Sequence, residues 1–194
     1  MNLHIVHTES SLGWGGQEIR ILTEARGMAG RGHRLTLIAP AEAGVFREAA
    51  KYGIDAVALP IARKSLRGLF ALKRWFAENR PDVVNTHSST DSWLTALSCK
   101  APVVRTRHIS APVGANPWNR WLYGSAARRV VTTGESLRRQ LIDALGMDQD
   151  HVVSIPTGID LKRFTNLKKA DLAIPDEAFV FGIVATLRSW KGHQ

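Results

Sequence analysis

The sequence predicts an α/β protein: a parallel sheet with helices on both faces. Three observations carry that prediction. Short apolar runs alternate with longer stretches of helical period along most of the chain. The runs are rich in Val, Ile and Leu without polar alternation, as strands buried on both faces are. The intervals between them are long enough for crossover helices, which parallel strands need and hairpins do not.

Taken in order, strands are expected over 3–7, 35–39, 56–60, 83–87, 103–107, 130–133 and 152–155. Helices are expected over about 17–31, 43–52, 66–79, 90–99, 117–127 and 135–145. The punctuation agrees. Arg31-Gly32-His33 supplies a glycine stop to the first helix, and Arg80-Pro81-Asp82 ends the third at a proline. Glu135 and Ser136 open the sixth, where a carboxylate suits the positive end of the helix dipole. Leu66, Leu69 and Phe70 share one face of the third helix and are expected to pack on the sheet. Trp118, Trp121 and Leu122 are expected to do the same on the fifth. The stretch 165–177 carries Asn166, Lys168, Lys169, Asp171, Pro175 and Asp176 and reads as a linker. After it, "AFVFGIVATL" (178–187) reads as another buried strand. The expected organisation is therefore a domain over 1–164, a linker over 165–177 and the opening of a second domain over 178–194.

Composition narrows the function. An apolar fraction of 44% with six Trp provides for a real core and excludes a disordered chain. The single cysteine, Cys99, excludes an intrachain disulfide and fits a reducing compartment; it reads as a small core residue. The first strand begins at once, without the basic and apolar stretch expected of a signal peptide, and no apolar run approaches the roughly 18 residues of a membrane span, so a cytoplasmic protein is expected. The net charge of +9 favours anionic partners: phosphorylated small molecules, an anionic membrane surface or nucleic acid. Nucleic acid is disfavoured, because no recognition helix or aromatic stacking signature is present.

"HTESSLGWGGQEIRILTEA" runs from the first strand into the first helix. Gly13, Gly15 and Gly16 are expected to adopt positive φ and to let a ligand approach the backbone. The helix start behind them offers amides to an anion. This is the carboxyl end of a parallel strand, where α/β ligands bind. The spacing fits neither G-x-x-x-x-G-K-S/T nor G-x-G-x-x-G, and the second strand ends in Ile38-Ala39-Pro40 without a ribose-binding acid. A P-loop or NAD enzyme is therefore not the reading; a tight-packing turn is the plain alternative. His4 and His7, read as sharing a face of the first strand, lack further ligands for a metal and are expected to pack. Arg105 and Arg107 share a strand face near its carboxyl end; an anionic ligand or a surface ion pair would satisfy them. The segment 62–76 places Arg63, Arg67 and Arg74 on one helical face beside aromatics, which suits either water or an anionic membrane.

Five segments together resemble the retaining family 4 glycosyltransferases, which have the GT-B fold of two facing Rossmann-like domains. "GGQEIRILTEARGMAGRGHRLTLI" (15–38) resembles the family's G-G-x-E helix with A-x-x-G-H, and "PDVVNTHSS" (81–89) its D-V-V-H-x-H segment. "VVRTRHIS" (103–110) is similar to its strand ending in T-x-H, and "RRVVTTGESLRRQL" (128–141) to its S-E helix entry, with Gly134 in place of Ser. "VVSIPTGIDLKRF" (152–164) resembles V-x-x-I-P-N-G-V-D-x-x-x-F, with Thr157 in place of Asn. "VATLRSWKGH" (184–193) stands where the family's donor domain opens, with Thr186 in place of its usual Arg.

The resemblance implies a doubly wound, Rossmann-like acceptor domain followed by only the start of a donor domain. It implies transfer with retention from a nucleotide sugar to a glycan or lipid-linked acceptor, without a bound metal or other cofactor. Finer likeness points to bacterial lipopolysaccharide or capsule assembly, with peripheral contact at the inner face of the membrane. By the same resemblance His108 would stand next to the transferred sugar. Gly15, Gly16, Arg188 and Lys191 would face the donor and its phosphates, and His87 and Ser88 would line the acceptor side with Arg105 and Arg107. Glu135 reads equally as a helix-end group, and Asp160 as a turn former. The 194-residue chain alone is expected to have negligible transferase activity. A non-catalytic binding module and a sugar-nucleotide epimerase of the same fold are the alternatives.

Overall fold

A computed structural model describes residues 1–109, 111–165, 174, 175 and 177–184. It falls into two units, Met1–Thr157 and Gly158–Gln194.

The first unit is a seven-stranded parallel sheet: β1 (His4–Thr8), β2 (Arg34–Ala39), β3 (Asp55–Ala58), β4 (Val83–Thr86), β5 (Val103–Arg107), β6 (Arg129–Thr132) and β7 (Val152–Ser154). Their spatial order is β3-β2-β1-β4-β5-β6-β7, with every neighbouring pair parallel. The chain builds outward from β1 in one direction, then returns to add β4 on its other side. The resulting crevice at the carboxyl ends of β1 and β4 is the ligand-binding position of open α/β sheets.

The helices are α1 (Gly16–Ala29), α2 (Gly44–Glu48), α3 (Leu66–Asn79), α4 (Ser89–Ser98), α5 (Pro117–Arg120) and α6 (Glu135–Leu145). Strand alternation sorts the core. Ile5, Leu35 and Leu37 pack with Ile21 and Leu22 of α1 and Val45 of α2. Val6, Ile38 and Val84, pointing the other way, pack with Leu72 and Phe76 of α3 and Leu94 of α4. Val130 and Val152 pack with Leu141 and Leu145 of α6. Two glycines permit close approach. A Cβ on Gly68 would fall 2.7 Å from the Pro60 carbonyl, and one on Gly44 would fall 2.8 Å from that of Gly13.

Several expectations are corrected. In α3 the sheet-facing residues are Gly68, Leu72 and Phe76, whereas Leu66 is 70% and Phe70 61% exposed. Gly68, Leu72 and Phe76 fall at four-residue spacing on one face, and Gly68 seats that face closely on the chain at Pro60. The fifth helix is one short turn, capped by Asn116, that passes into a π-turn over Trp121–Ser125. That change of period leaves Trp118 70% exposed, with Leu122 buried. Gly13, Gly15 and Gly16 do not adopt positive φ; that role falls to Gly32, Gly53 and Gly146 at element ends. His4 and His7 lie three residues apart and so face opposite sides of the sheet, His4 toward Thr36 and Trp75.

In the second unit Asp160 accepts from the Lys162 amide and caps a short 3₁₀ turn over Leu161–Phe164. Residues 178–184 take no strand, contrary to the sequence reading; the rest of that expected strand and most of the expected linker lie outside the described residues.

Candidate functional site

The carboxyl ends of β1, β4 and β5 gather a buried polar network. On the α1 side of the sheet, register aligns His7 (β1) with Asn85 and so brings His87, just past β4, and His108, just past β5, onto the same face. His7 Nδ1 lies 2.9 Å from His87 Nε2, and His87 Nδ1 lies 3.0 Å from His108 Nε2. The first two rings stack with an interplanar angle of 5°. His7 and His87 are buried, and His108 is half-buried. Burial holds His7 down to about 4 and His87 well below the usual histidine range. His108 also sits at about 4, by burial and then the nearby Arg20 guanidinium. All three rings are neutral near pH 7.

The opposite face is held by Asp91 of α4. Its carboxylate accepts from Thr8 Oγ1 (2.9 Å), Ser10 Oγ (3.2 Å), the His87 amide (3.0 Å) and the Ser88 amide (3.0 Å). One side chain therefore ties the end of β1, the end of β4 and the start of α4 together. Glu9 lies beside it. Ser88 Oγ donates to Glu9 at 2.5 Å and the Ser11 amide at 2.7 Å, and the Gln17 amide donates as well. Burial, and then mutual repulsion for Asp91, push both carboxyls above their ordinary range.

Arg20 of α1 is buried beneath this network. It donates to Glu24 (2.5 Å), Thr157 Oγ1 (3.0 Å) and the Ile155 carbonyl (2.9 Å), joining α1 to the segment after β7. Thr157, where the family resembled has Asn, thus has a defined partner. Arg105 and Arg107 share a face, as expected. Both donate to the Tyr123 hydroxyl, at 3.1 and 2.9 Å, and Arg105 also lies over the Tyr123 ring. Neither pairs with a carboxylate among the described residues, and the Nε of each is buried without a partner.

The structure thus brings together His87, Ser88, His108, Arg105 and Arg107. Gly15 and Gly16 open α1 beside Gln17, which bonds Ser88 and Glu9. A Cβ on Gly16 would meet nothing within 4 Å, so the helix start is open. Arg188 and Lys191 lie outside the described residues. Glu135 opens α6 and pairs with Arg138 at 3.0 Å. Sequence reasoning missed Glu9, Arg20, Asp91 and Tyr123, and took His7 for packing. Two of these carried a signal: Ser88-x-x-Asp91 is a helix-entry pattern, and Glu9 directly follows a strand. Arg20 and Tyr123 carried none toward the site, because Thr157 and Ile155 for Arg20, and Arg105 and Arg107 for Tyr123, are distant in sequence. No group of His, Cys, Asp or Glu suited to a metal ion occurs among the described residues.

A parallel sheet with its polar residues gathered at one switch point is a Rossmann-like arrangement, whose ligands bind at the carboxyl ends of the strands. Residues 14–163 match the model of Glycosyltransferase Family 4, and the chain belongs to that family. It is 30% identical over 145 residues to a protein of Kineococcus radiotolerans named D-inositol 3-phosphate glycosyltransferase, covering 64% of this chain and 33% of the relative. A glycosyltransferase from Rickettsia africae superposes with TM-score 0.72 at 19% identity, over 86% of this chain and 46% of that one. Anabaena Alr3699/HepE, solved with UDP-glucose, superposes with TM-score 0.60 at 13% identity, over 83% and 45%. The chain spans less than half the length of each.

Proposed function

We propose that this chain supplies the acceptor-binding half of a retaining glycosyltransferase, which moves a sugar from a nucleotide donor to an anionic glycan or lipid-linked acceptor. The observation that carries the reading is the Arg105–Tyr123–Arg107 cluster at the carboxyl end of β5, where Arg105 also reaches the Ser88 carbonyl. Two cations share one phenol oxygen and, among the described residues, hold buried nitrogens without partners and have no carboxylate between them. Such a pair favours a phosphate or carboxylate on the bound molecule. The name of the Kineococcus relative, with its phosphorylated polyol, and the UDP-glucose in the Anabaena structure support an anionic acceptor and a nucleotide-sugar donor. In this reading His108 meets the transferred sugar, and His87 and Ser88 line the acceptor side. The open start of α1 at Gly15 and Gly16 faces donor phosphate, with Arg188 and Lys191 contributing from a donor domain that opens over 178–194. The acceptor domain runs over 1–164, with a linker over 165–177. Positioned cations and helix amides, rather than a protein nucleophile, then stabilise the departing diphosphate.

We place the reaction in bacterial surface-glycan assembly, of the lipopolysaccharide or capsule kind, on the cytoplasmic side of the membrane. No helix among the described residues is long and apolar enough to cross a membrane. Exposed Leu66 and Phe70 beside exposed Arg63, Arg67, Lys73 and Arg74 support peripheral contact with anionic lipid. The test joins this chain to a family donor domain and screens nucleotide sugars against phosphorylated and lipid-linked acceptors. Transfer with retained anomeric configuration is expected, and His108→Ala is expected to lower kcat/KM by about 10-fold, the scale of one hydrogen bond between neutral groups. Epimerised sugar without acceptor would replace this reading with the epimerase one. Acceptor binding without turnover of any donor would leave a binding module.

A further inference from the structure

His7, His87 and His108 form an unbranched row of three imidazoles joined by two ring-to-ring hydrogen bonds. Among the described residues no carboxylate touches any of the rings: Asp91 bonds the backbone amide of His87, and Glu9 bonds Ser11, Gln17 and Ser88. The row therefore sets its own proton positions. Each neutral imidazole carries one N–H, and each ring-to-ring bond uses one proton. Three protons serve two bonds, so one is left at an end of the row, on His7 Nε2 or on His108 Nδ1. The choice is collective, because moving it reverses both bonds.

The two ends differ. His7 Nε2 is buried and has no hydrogen-bond partner among the described residues. A proton there would be an orphaned buried donor, and such N–H groups are rarer in proteins than under-used acceptors. His108 stands half-exposed at the strand ends, where an N–H can reach water or a ligand. The adjoining Arg20 and Arg105 guanidiniums disfavour an added proton on His87, and Arg20 does so on His108; the row stays neutral and the counting holds.

We infer that His7 and His87 are positioning residues: the row they form places its free proton on His108 Nδ1, making that nitrogen a hydrogen-bond donor to a sugar hydroxyl or other oxygen of the bound ligand. The identity of that ligand rests on the function proposed above; the proton placement does not. A histidine in water favours the opposite, Nε2-protonated tautomer, so the row imposes the less common form on His108.

The test is proton–nitrogen correlation spectroscopy of the 194-residue chain labelled in its histidines, recorded above neutral pH, with signals assigned by single His→Gln replacements. His108 is expected to show a proton-bearing Nδ1 and a bare Nε2, and His87 and His7 the same. In His87→Phe the His108 signal is expected to move to the Nε2-protonated pattern. In His87→Gln, whose side-chain amide can still donate to His108 Nε2, it is expected to stay. A proton-bearing Nε2 on His108 in the unmodified chain overturns the inference, as does a His108 pattern unmoved in His87→Phe. If His87→Phe does not fold, the unmodified chain decides alone. No turnover is read, so this result and the fate of the sugar-transfer reading are separate.

Discussion

The two ends of the sheet treat charge in opposite ways. At the carboxyl ends of β1, β4 and β5, Glu9, Asp91, Arg20 and Arg105 are buried and held by named partners. At the amino ends, three open clefts of about 450, 550 and 560 Å³ are rimmed by Lys73, Arg80, Lys100, Arg128, Arg129 and His151. Lys73, Arg80, Lys100, Arg128 and Arg129 stand exposed to solvent. Open clefts with exposed rims lie at the amino end, and the interlocked polar chemistry lies at the other. Volume marks where elements splay apart. A buried, interlocked set of polar side chains marks where desolvation has been offset by geometry, which is what a site with directed hydrogen bonds requires.

The comparison predicts a graded response to substitution. Asp91→Ala is expected to be most damaging. It strands two hydroxyls, two amides and a neighbouring buried guanidinium, for about 3–5 kcal/mol in a denaturant titration. A loss below 1 kcal/mol would mean the network is decoration. Next is His7→Gln, read through pH. His7 sits at about 4 in the fold and near 6.5 unfolded, so between those values the unfolded chain binds the extra proton. Stability owed to neutral His7 is complete above pH 6.5 and is lost as pH falls toward 4. Wild type should lose ground to His7→Gln by up to about 1.4 kcal/mol per pH unit across that window. Taking the difference between the two proteins removes the opposing slope of Glu9 and Asp91, whose raised values weaken the fold as pH rises. Parallel stability curves would show His7 already solvated.

Gly44→Ala is expected to cost about 1–3 kcal/mol. The new methyl lands 2.8 Å from the Gly13 carbonyl and 2.9 Å from Trp14 Cβ, and it must push the glycine loop off its seat. An unchanged unfolding midpoint would show the loop to be free of α2. The smallest effect belongs to the amino end: Arg129→Ala should stay within about 0.5 kcal/mol of wild type. A larger loss would mean that this rim, too, holds its charges in place.

Most of the fold was legible because local pattern and global fold agree. The apolar runs became β1 through β7 within a few residues, and Pro81 ended α3 where expected. Legibility failed where a period was read without its phase. Leu66 and Phe70 share a helical face, yet the face turned to the sheet is that of Gly68, Leu72 and Phe76. It failed again at Trp118, where a π-turn shifts the stripe. For the site, His87, Ser88, His108 and the two arginines were legible as residues at strand ends. Arg20, Tyr123 and the link from His7 to His87 were not.

What the sequence determined by itself is the alternation of elements, the family, and the list of polar residues delivered to strand ends, because period, caps and motifs are local. Tertiary structure alone decided that β1 lies beside β4 and β4 beside β5. That adjacency places His7, His87 and His108 in one row, 80 and 21 residues apart in sequence along its two bonds. The physical reason is register: only paired strands fix which side chains meet across neighbours, and no local pattern in this chain encodes the pairing.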